Sequence, residues 1–98
     1  MAARKPFTVK LWEADGKQHR WTIVFRPLPA KNGRTWFGDC DWENREVIIN
    51  SRLRNPKTIN STIVHEANHV ALGVNATEWA VEAVEENYNS IRSALDAN

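Results

Sequence analysis

The sequence predicts an α+β domain, in which an N-terminal antiparallel β-sheet of about four strands is followed by an α-helical hairpin. Two observations predict this class: apolar residues alternate with period two through the first fifty residues, and later recur at three- and four-residue spacing. The 98 residues match one ordinary domain, and 42% apolar with 26% charged residues is typical of globular chains. We expect a single domain over residues 1–98, with the sheet in 1–54 and the helices in 55–98.

The first two predicted strands form a hairpin. Residues 7–12 alternate apolar and polar side chains and lead into the turn dipeptide Asp15-Gly16. Residues 20–26 resume the alternation and stop before Pro27, whose missing amide hydrogen ends a ladder of hydrogen bonds. The two remaining strands are expected at about Thr35 to Trp42 and Glu46 to Asn50, joined by a turn at 43–45.

The first helix is predicted from Pro56 to Leu72. Asn55 is a good N-cap, Pro56 suits the first helical position, and Gly73 is a natural stop. Its apolar stripe consists of Ile59, Ile63, Ala67, Val70 and Ala71.

A second helix is predicted after a short turn, with Asn75 or Thr77 as its cap. Its apolar stripe consists of Val81, Val84, Tyr88, Ile91 and Leu95. This spacing places Tyr88 in the core, whereas Trp79 is either a rim residue or a packing anchor.

Composition excludes several classes of protein. Apolar stretches fall far short of the roughly 18 residues of a membrane helix, and the start lacks the apolar region of a secretory signal, so we expect a cytoplasmic protein with no membrane partner. Cys40 is the single cysteine, which excludes an internal disulfide and a four-cysteine zinc site. Any metal site must therefore rest on histidine and carboxylate, with Cys40 itself more often a small buried residue than a ligand.

The charge is unevenly distributed although the net charge is only +1. Residues 1–60 hold 12 of the 13 basic residues, and residues 61–98 hold 6 of the 12 acidic ones. Cations interleaved with tryptophans can bind nucleic acid, through a loop that includes Lys31 and Arg34. Basic residues on the outward face of strands that bury their tryptophans give the same composition, and this second interpretation is favoured.

The first predicted helix carries the pentapeptide His65-Glu66-Ala67-Asn68-His69, an H-E-x-x-H motif. Two histidines four residues apart project from one helical face and can reach a single zinc ion. Glu66 is too far around the helix to ligate comfortably, but it is placed to act as general base towards a water that the metal activates. On a helical wheel the histidines lie at about 240° and 280° from Ile59, away from the apolar stripe.

A catalytic zinc usually has a third protein ligand. In an antiparallel helical hairpin, Glu78 or Glu82 of the second helix lies at the level of the histidines. Glu85 lies on the same face of the second helix as these two glutamates. Each also has an ordinary role, as part of a capping box for Glu78 and as a solvated face for the others. The geometry predicted from sequence leaves this choice open.

Residues about 36–95 resemble the small zincin-like proteins of phages and bacteria, relatives of the SprT-like and minimal gluzincin metallopeptidases. The resemblance rests on the run around Gly38, the strand 46–50, the segment 62–69 and the pair Thr77-Glu78 with the apolar residues that follow. The residues Asn68 and Val70, on either side of the second histidine, depart from the usual pattern.

This resemblance implies that Glu78 is the third zinc ligand and that the protein is a zinc-dependent metallopeptidase acting on a peptide or protein, in a bacterial host cytoplasm if phage-encoded. It further implies that the strand 46–50 is an edge strand that pairs with an extended peptide, and an inert edge strand is the alternative. The alternative is a non-catalytic, zinc-stabilised module that binds nucleic acid or another protein.

Overall fold

The α+β architecture is confirmed in the computed structural model, which describes residues 4–30, 32–33, 35–73 and 77–96. Four strands precede two helices: β1 (Phe7–Trp12), β2 (Gln18–Arg26), β3 (Gly38–Asp41), β4 (Glu46–Asn50), α1 (Pro56–Leu72) and α2 (Glu78–Asp96). None of the helices in this described part of the chain is long and apolar enough to cross a bilayer.

The sheet is mixed, whereas the sequence analysis predicted a wholly antiparallel sheet. Its strand order is β1-β2-β4-β3, with β4 parallel to β2 and antiparallel to β3. Prediction assumed that consecutive strands are neighbours, but β4 has the apolar sequence that a central position requires, since Val47 and Ile49 are both fully buried. β3, with the sequence Gly-Asp-Cys-Asp, is shorter than predicted and is polar enough to occupy an edge.

The core lies between one face of the sheet and α1. Its centre contains Trp21, Ile23, Val47, Ile49, Ile59 and Val70. Trp21 packs edge-to-face against Trp42, with ring centroids 5.2 Å apart. Its indole Nε1 donates a 2.7 Å hydrogen bond to Glu13, whose carboxylate also accepts from Arg45.

α1 begins and ends where the sequence predicts. The Asn55 side chain accepts from the Lys57 N–H, and Pro56 occupies the first turn. Gly73 has φ of 106°, which favours glycine, and its N–H donates to the carbonyl of His69.

The buried face of α1 is rotated relative to the predicted stripe. Ile59 and Val70 are buried as expected, but Ala71 is exposed. Thr62 and Glu66 are buried in its place, because the helix turns this polar strip towards β3. A prediction that counts apolar residues alone could not find a face that includes a carboxylate.

α2 begins after Thr77, whose hydroxyl accepts from the Ala80 N–H, while Asn75 lies outside the described residues. Of the predicted stripe only Val81 is buried. The prediction of a core position for Tyr88 is wrong, because its side chain is 59% exposed. The other exposed members are Val84, Ile91 and Leu95. α2 packs on α1 and, within the described residues, gains no comparable support from the sheet.

Candidate metal centre

The motif histidines lie side by side on α1. Their ring centroids are 5.0 Å apart, and the side chains of His65 and His69 are 23% and 15% exposed. A spacing of four residues produces this arrangement because it returns the chain to one helical face after about one turn. The pair borders a cleft of about 460 Å³ that is lined by residues of β3, α1 and α2 and by the segment before β3.

Glu78, the first residue of α2, lies between the two imidazoles. Its Oε2 is 3.1 Å from Nε2 of His65, and its Oε1 is 2.6 Å from Nε2 of His69. One ligand atom from each of the three residues lies within 4.8 Å of the others, so this group can hold a metal ion. The structure thus brings together the two histidines and the carboxylate that the sequence resemblance favours.

The other two candidate ligands lie elsewhere. Glu82 is exposed and does not line the cleft. Glu85 Oε1 lies 2.7 Å from Nδ1 of His65, on the side of the ring opposite to Glu78, but outside hydrogen-bonding geometry. This carboxylate oxygen is buried and lacks a hydrogen-bond partner. Glu85 is therefore a neighbour of the His65 ring and does not belong to the group of His65, His69 and Glu78 that can hold a metal.

Glu66 is almost completely buried, with 5% exposure, yet its side chain lines the cleft. Removal from water raises the pKa of its carboxyl to about 7, and the positive charge of a protonated His65 opposes this shift. The carboxylates of Asp39, Glu78 and Glu85 raise the pKa further. Burial thus places the pKa of the Glu66 carboxyl close to neutral pH.

Cys40 is a neighbour of Glu66 and lies outside the metal-binding group. Its Sγ lies 3.6 Å from the backbone oxygen of Glu66 and 3.9 Å from Oε1, so the thiol donates weakly to this residue. Burial, reinforced by the negative charge of Glu66, raises the pKa of the thiol far above its usual range. Cys40 is thus a protonated packing residue beside the buried carboxylate.

Gly38 allows α1 to approach β3 closely. A Cβ atom at this position would lie 2.8 Å from Thr62 Cγ2 and 3.1 Å from Glu66 Cγ. The sequence analysis used this glycine only as part of a resemblance. An isolated glycine in a strand, which often marks close backbone approach, is the signal that could have identified its role.

The wall of the cleft on the side of β3 also escaped prediction. Asp39 lines the cleft from β3 itself, and Trp36 and Phe37 line it from the segment just before that strand. The expectation that residues 46–50 form an edge is wrong, because β4 is flanked by β2 and β3. The edge strand next to the cleft is β3, and β1 forms the opposite edge of the described sheet. Trp79 is 77% exposed and is not part of the lining.

A second histidine–carboxylate group lies at the hairpin between β1 and β2. It consists of Glu13, Asp15 and His19, with His19 Nε2 2.8 Å from Asp15 Oδ2. Glu13 already accepts hydrogen bonds from Arg45 and Trp21, which lower the pKa of its carboxyl, and the guanidinium of Arg45 balances its negative charge. This group is accordingly explained as a structural junction of the sheet.

Comparison with known proteins finds no matching family model, no matching curated protein and no matching solved structure. Lys31 and Arg34, on which the nucleic-acid alternative depends, lie outside the described residues.

Proposed function

We propose that this chain is a minimal zinc-dependent metallopeptidase of the H-E-x-x-H type, as its resemblance to small zincin-like proteins implies. The observation that carries this proposal is the convergence of His65 Nε2 and His69 Nε2 on the two carboxylate oxygens of Glu78. Two imidazole nitrogens and one carboxylate oxygen are a donor set used by catalytic zinc, which keeps a further position open.

The surroundings of His65 support the fit. A histidine that binds a metal through Nε2 carries its proton on Nδ1, and usually donates it to a carboxylate or carbonyl. Glu85 supplies a buried carboxylate oxygen without a hydrogen-bond partner 2.7 Å from that nitrogen. A small shift of either side chain satisfies both atoms.

In this proposal, His65, His69 and Glu78 hold zinc, which when bound supplies Lewis acidity and activates water. Glu66 would take a proton from the water that adds to the amide carbonyl carbon, and would return it to the nitrogen of the leaving amine as the C–N bond breaks. Burial against β3 fixes the backbone and limits the conformations of Glu66, so its carboxylate is positioned before substrate arrives. β3 provides an edge along which an extended peptide can lie.

The direct test combines metal content with turnover. Protein purified without chelator or nickel resin is expected to contain about one zinc per chain, and His65→Ala is expected to lose it. Glu66→Gln should retain zinc, while its peptide cleavage falls by at least about a hundredfold because a general base is removed.

The outcomes separate the candidate functions. Unchanged cleavage by Glu66→Gln would overturn the mechanism. Zinc bound at His65 and His69 with no cleavage in a broad peptide library would indicate the non-catalytic module. Absence of metal after zinc is supplied would exclude both.

A further inference from the structure

The charged side chains that line the cleft are mainly acidic. The described lining residues include no Lys or Arg, and they include four carboxylates: Asp39, Glu66, Glu78 and Glu85. Two positive charges from a divalent ion offset only half of these when all are ionised. A cleft with low-dielectric walls focuses this negative field, which favours cationic ligands.

Aromatic side chains form another part of the same lining. Trp36 is 40% exposed and Phe37 is 48% exposed, and both precede β3 directly. Large aromatic groups in an open cleft provide apolar contact area. Their ring faces also attract ammonium and guanidinium groups.

β3 forms the edge of the described sheet beside this lining. The Asn50 N–H donates to the carbonyl of Phe37, and hydrogen-bonded pairs alternate along an antiparallel ladder. The backbone of Asp39 is therefore directed at β4, whereas the backbone N–H and C=O groups of Gly38 and Cys40 are directed away from the sheet. In agreement, the Cys40 N–H donates to Oδ1 of Asp39 at 2.9 Å, instead of to β4. The carboxylate oxygen marks a position that the carbonyl oxygen of an added strand would take.

Asp39 differs from the other three carboxylates in being available to a substrate. Glu66 is buried, Glu78 contacts both histidines, and Glu85 approaches His65. Asp39 is exposed, and within the described residues no ion pair to it is found. A peptide that pairs with β3 would release it from the Cys40 N–H and leave its charge for a side chain of the peptide.

We infer that the cleft selects extended peptides in which a lysine or arginine neighbours an aromatic or large apolar residue, with Asp39 as the group that contacts the cation. This inference rests on the proposed peptidase function and specifies its substrate class. The apolar residue of the peptide packs against Trp36 and Phe37. Acidic peptides are rejected because the cleft offers them no compensating cation among its described residues.

Binding is measured separately from turnover, with the zinc-loaded Glu66→Gln variant and fluorescent peptides that differ at one position. Peptides containing Phe-Lys, Phe-Gln or Phe-Glu in an otherwise uncharged sequence serve as probes. The Phe-Lys peptide should bind about tenfold more tightly than the Phe-Glu peptide, and the difference should shrink in high salt because exposed charges are screened.

Asp39→Asn in the same background identifies the contact. Asparagine keeps an oxygen for the Cys40 N–H, so the strand is preserved while the charge is lost. The preference for Phe-Lys over Phe-Glu should fall to about threefold or less. Glu43→Gln, which removes an exposed charge from the turn after β3 and outside the cleft, is the matched control and should leave the preference unchanged.

Equal affinities for the three peptides, no detectable binding of any of them, or an undiminished preference in Asp39→Asn would overturn the inference. The proposed function fails differently. Wild-type cleavage without charge preference would leave the peptidase intact and remove the substrate class. Charge-selective binding without cleavage by the wild-type protein would support the ligand class and overturn the peptidase function.

Discussion

The two helices that border the cleft are held in very different ways. α1 packs on the sheet along its length, and its buried face runs from Ile59 to Val70. α2 buries Val81 near its beginning, and from Val84 onwards its apolar side chains are 43% to 68% exposed. The candidate metal centre therefore takes two donors from a firmly packed helix and one from a helix that is supported only near its start.

The two helices therefore position their site residues in different ways. α1 fixes the distance between His65 and His69 and holds Glu66 against β3, so these groups are positioned by the core. α2 contributes Glu78 and Glu85, whose placement depends on the contact between the helices. Substitutions under α1 should disturb the fold and the site together, whereas substitutions of the exposed apolar side chains of α2 should disturb neither.

The largest effect is expected from Gly38→Val, which acts on the contact between α1 and β3. The added side chain would begin 2.8 Å from Thr62 Cγ2 and 3.2 Å from the carbonyl oxygen of Ile48. We expect a loss of about 3 kcal/mol in the free energy of unfolding, measured by urea denaturation, because overpacking forces backbone shifts. Thr62→Ser removes the nearest methyl group and should restore part of this loss. Wild-type stability in Gly38→Val would show that the approach is not tight.

A matched pair of substitutions compares the helices directly. Val70 on α1 is fully buried, and Val84 on α2 is 43% exposed. Val70→Ala should lower the free energy of unfolding by about 2 kcal/mol, through lost burial and a residual cavity. Val84→Ala should change it by less than about 0.5 kcal/mol. Equal losses in thermal or urea unfolding would mean that distal α2 is covered in solution.

The contribution of α2 to metal binding is tested at Glu85. Glu85→Gln should weaken zinc affinity about tenfold or more, because the carboxylate beside Nδ1 of His65 no longer orients the ring. Competition with a chelating dye measures this affinity. Glu82→Gln, on the same helix but outside the cleft, is the control and should bind zinc as the wild type does. A similar loss in both variants would attribute the effect to the net charge of α2.

A smaller effect is expected in the sheet, where Glu13 accepts hydrogen bonds from Trp21 and Arg45. Hydrogen bonding to Arg45 lowers the pKa of Glu13 below its usual value of 4.5. The ionised form thus stabilises the fold above pH 4.5, and this contribution is lost as the pH falls through the lowered pKa. Glu13→Gln should cost about 1 kcal/mol at pH 7 and should flatten the acid side of the stability profile. An unchanged profile would contradict the assignment.

Local patterns in the sequence predicted the elements of the fold well. Asn55, Pro56 and Gly73 act on their immediate neighbours, so both ends of α1 could be located without knowledge of the tertiary structure. The proximity of His65 to His69 follows in the same way from helical geometry. The position of Glu78 between them required the resemblance as well, because it depends on how two helices pack.

Features that depend on competition between distant segments were not predictable. β4 replaces β3 in the centre of the sheet because it is the more apolar strand, a comparison that periodicity within one strand does not make. The stripe of α2 has the spacing of a buried face, yet α1 already covers the sheet, and Tyr88 remains exposed. Periodicity shows that a helix has an apolar face but not what covers it.

The position of Glu78 at the first residue of α2 has a consequence for rates. Helix ends fray, and Glu78 precedes the turns that Val81 anchors. A metal held by His65, His69 and Glu78 would therefore lose its carboxylate ligand first, through opening of a single helical turn. Metal exchange would then follow the lifetime of that turn and could be rapid even where equilibrium binding is tight.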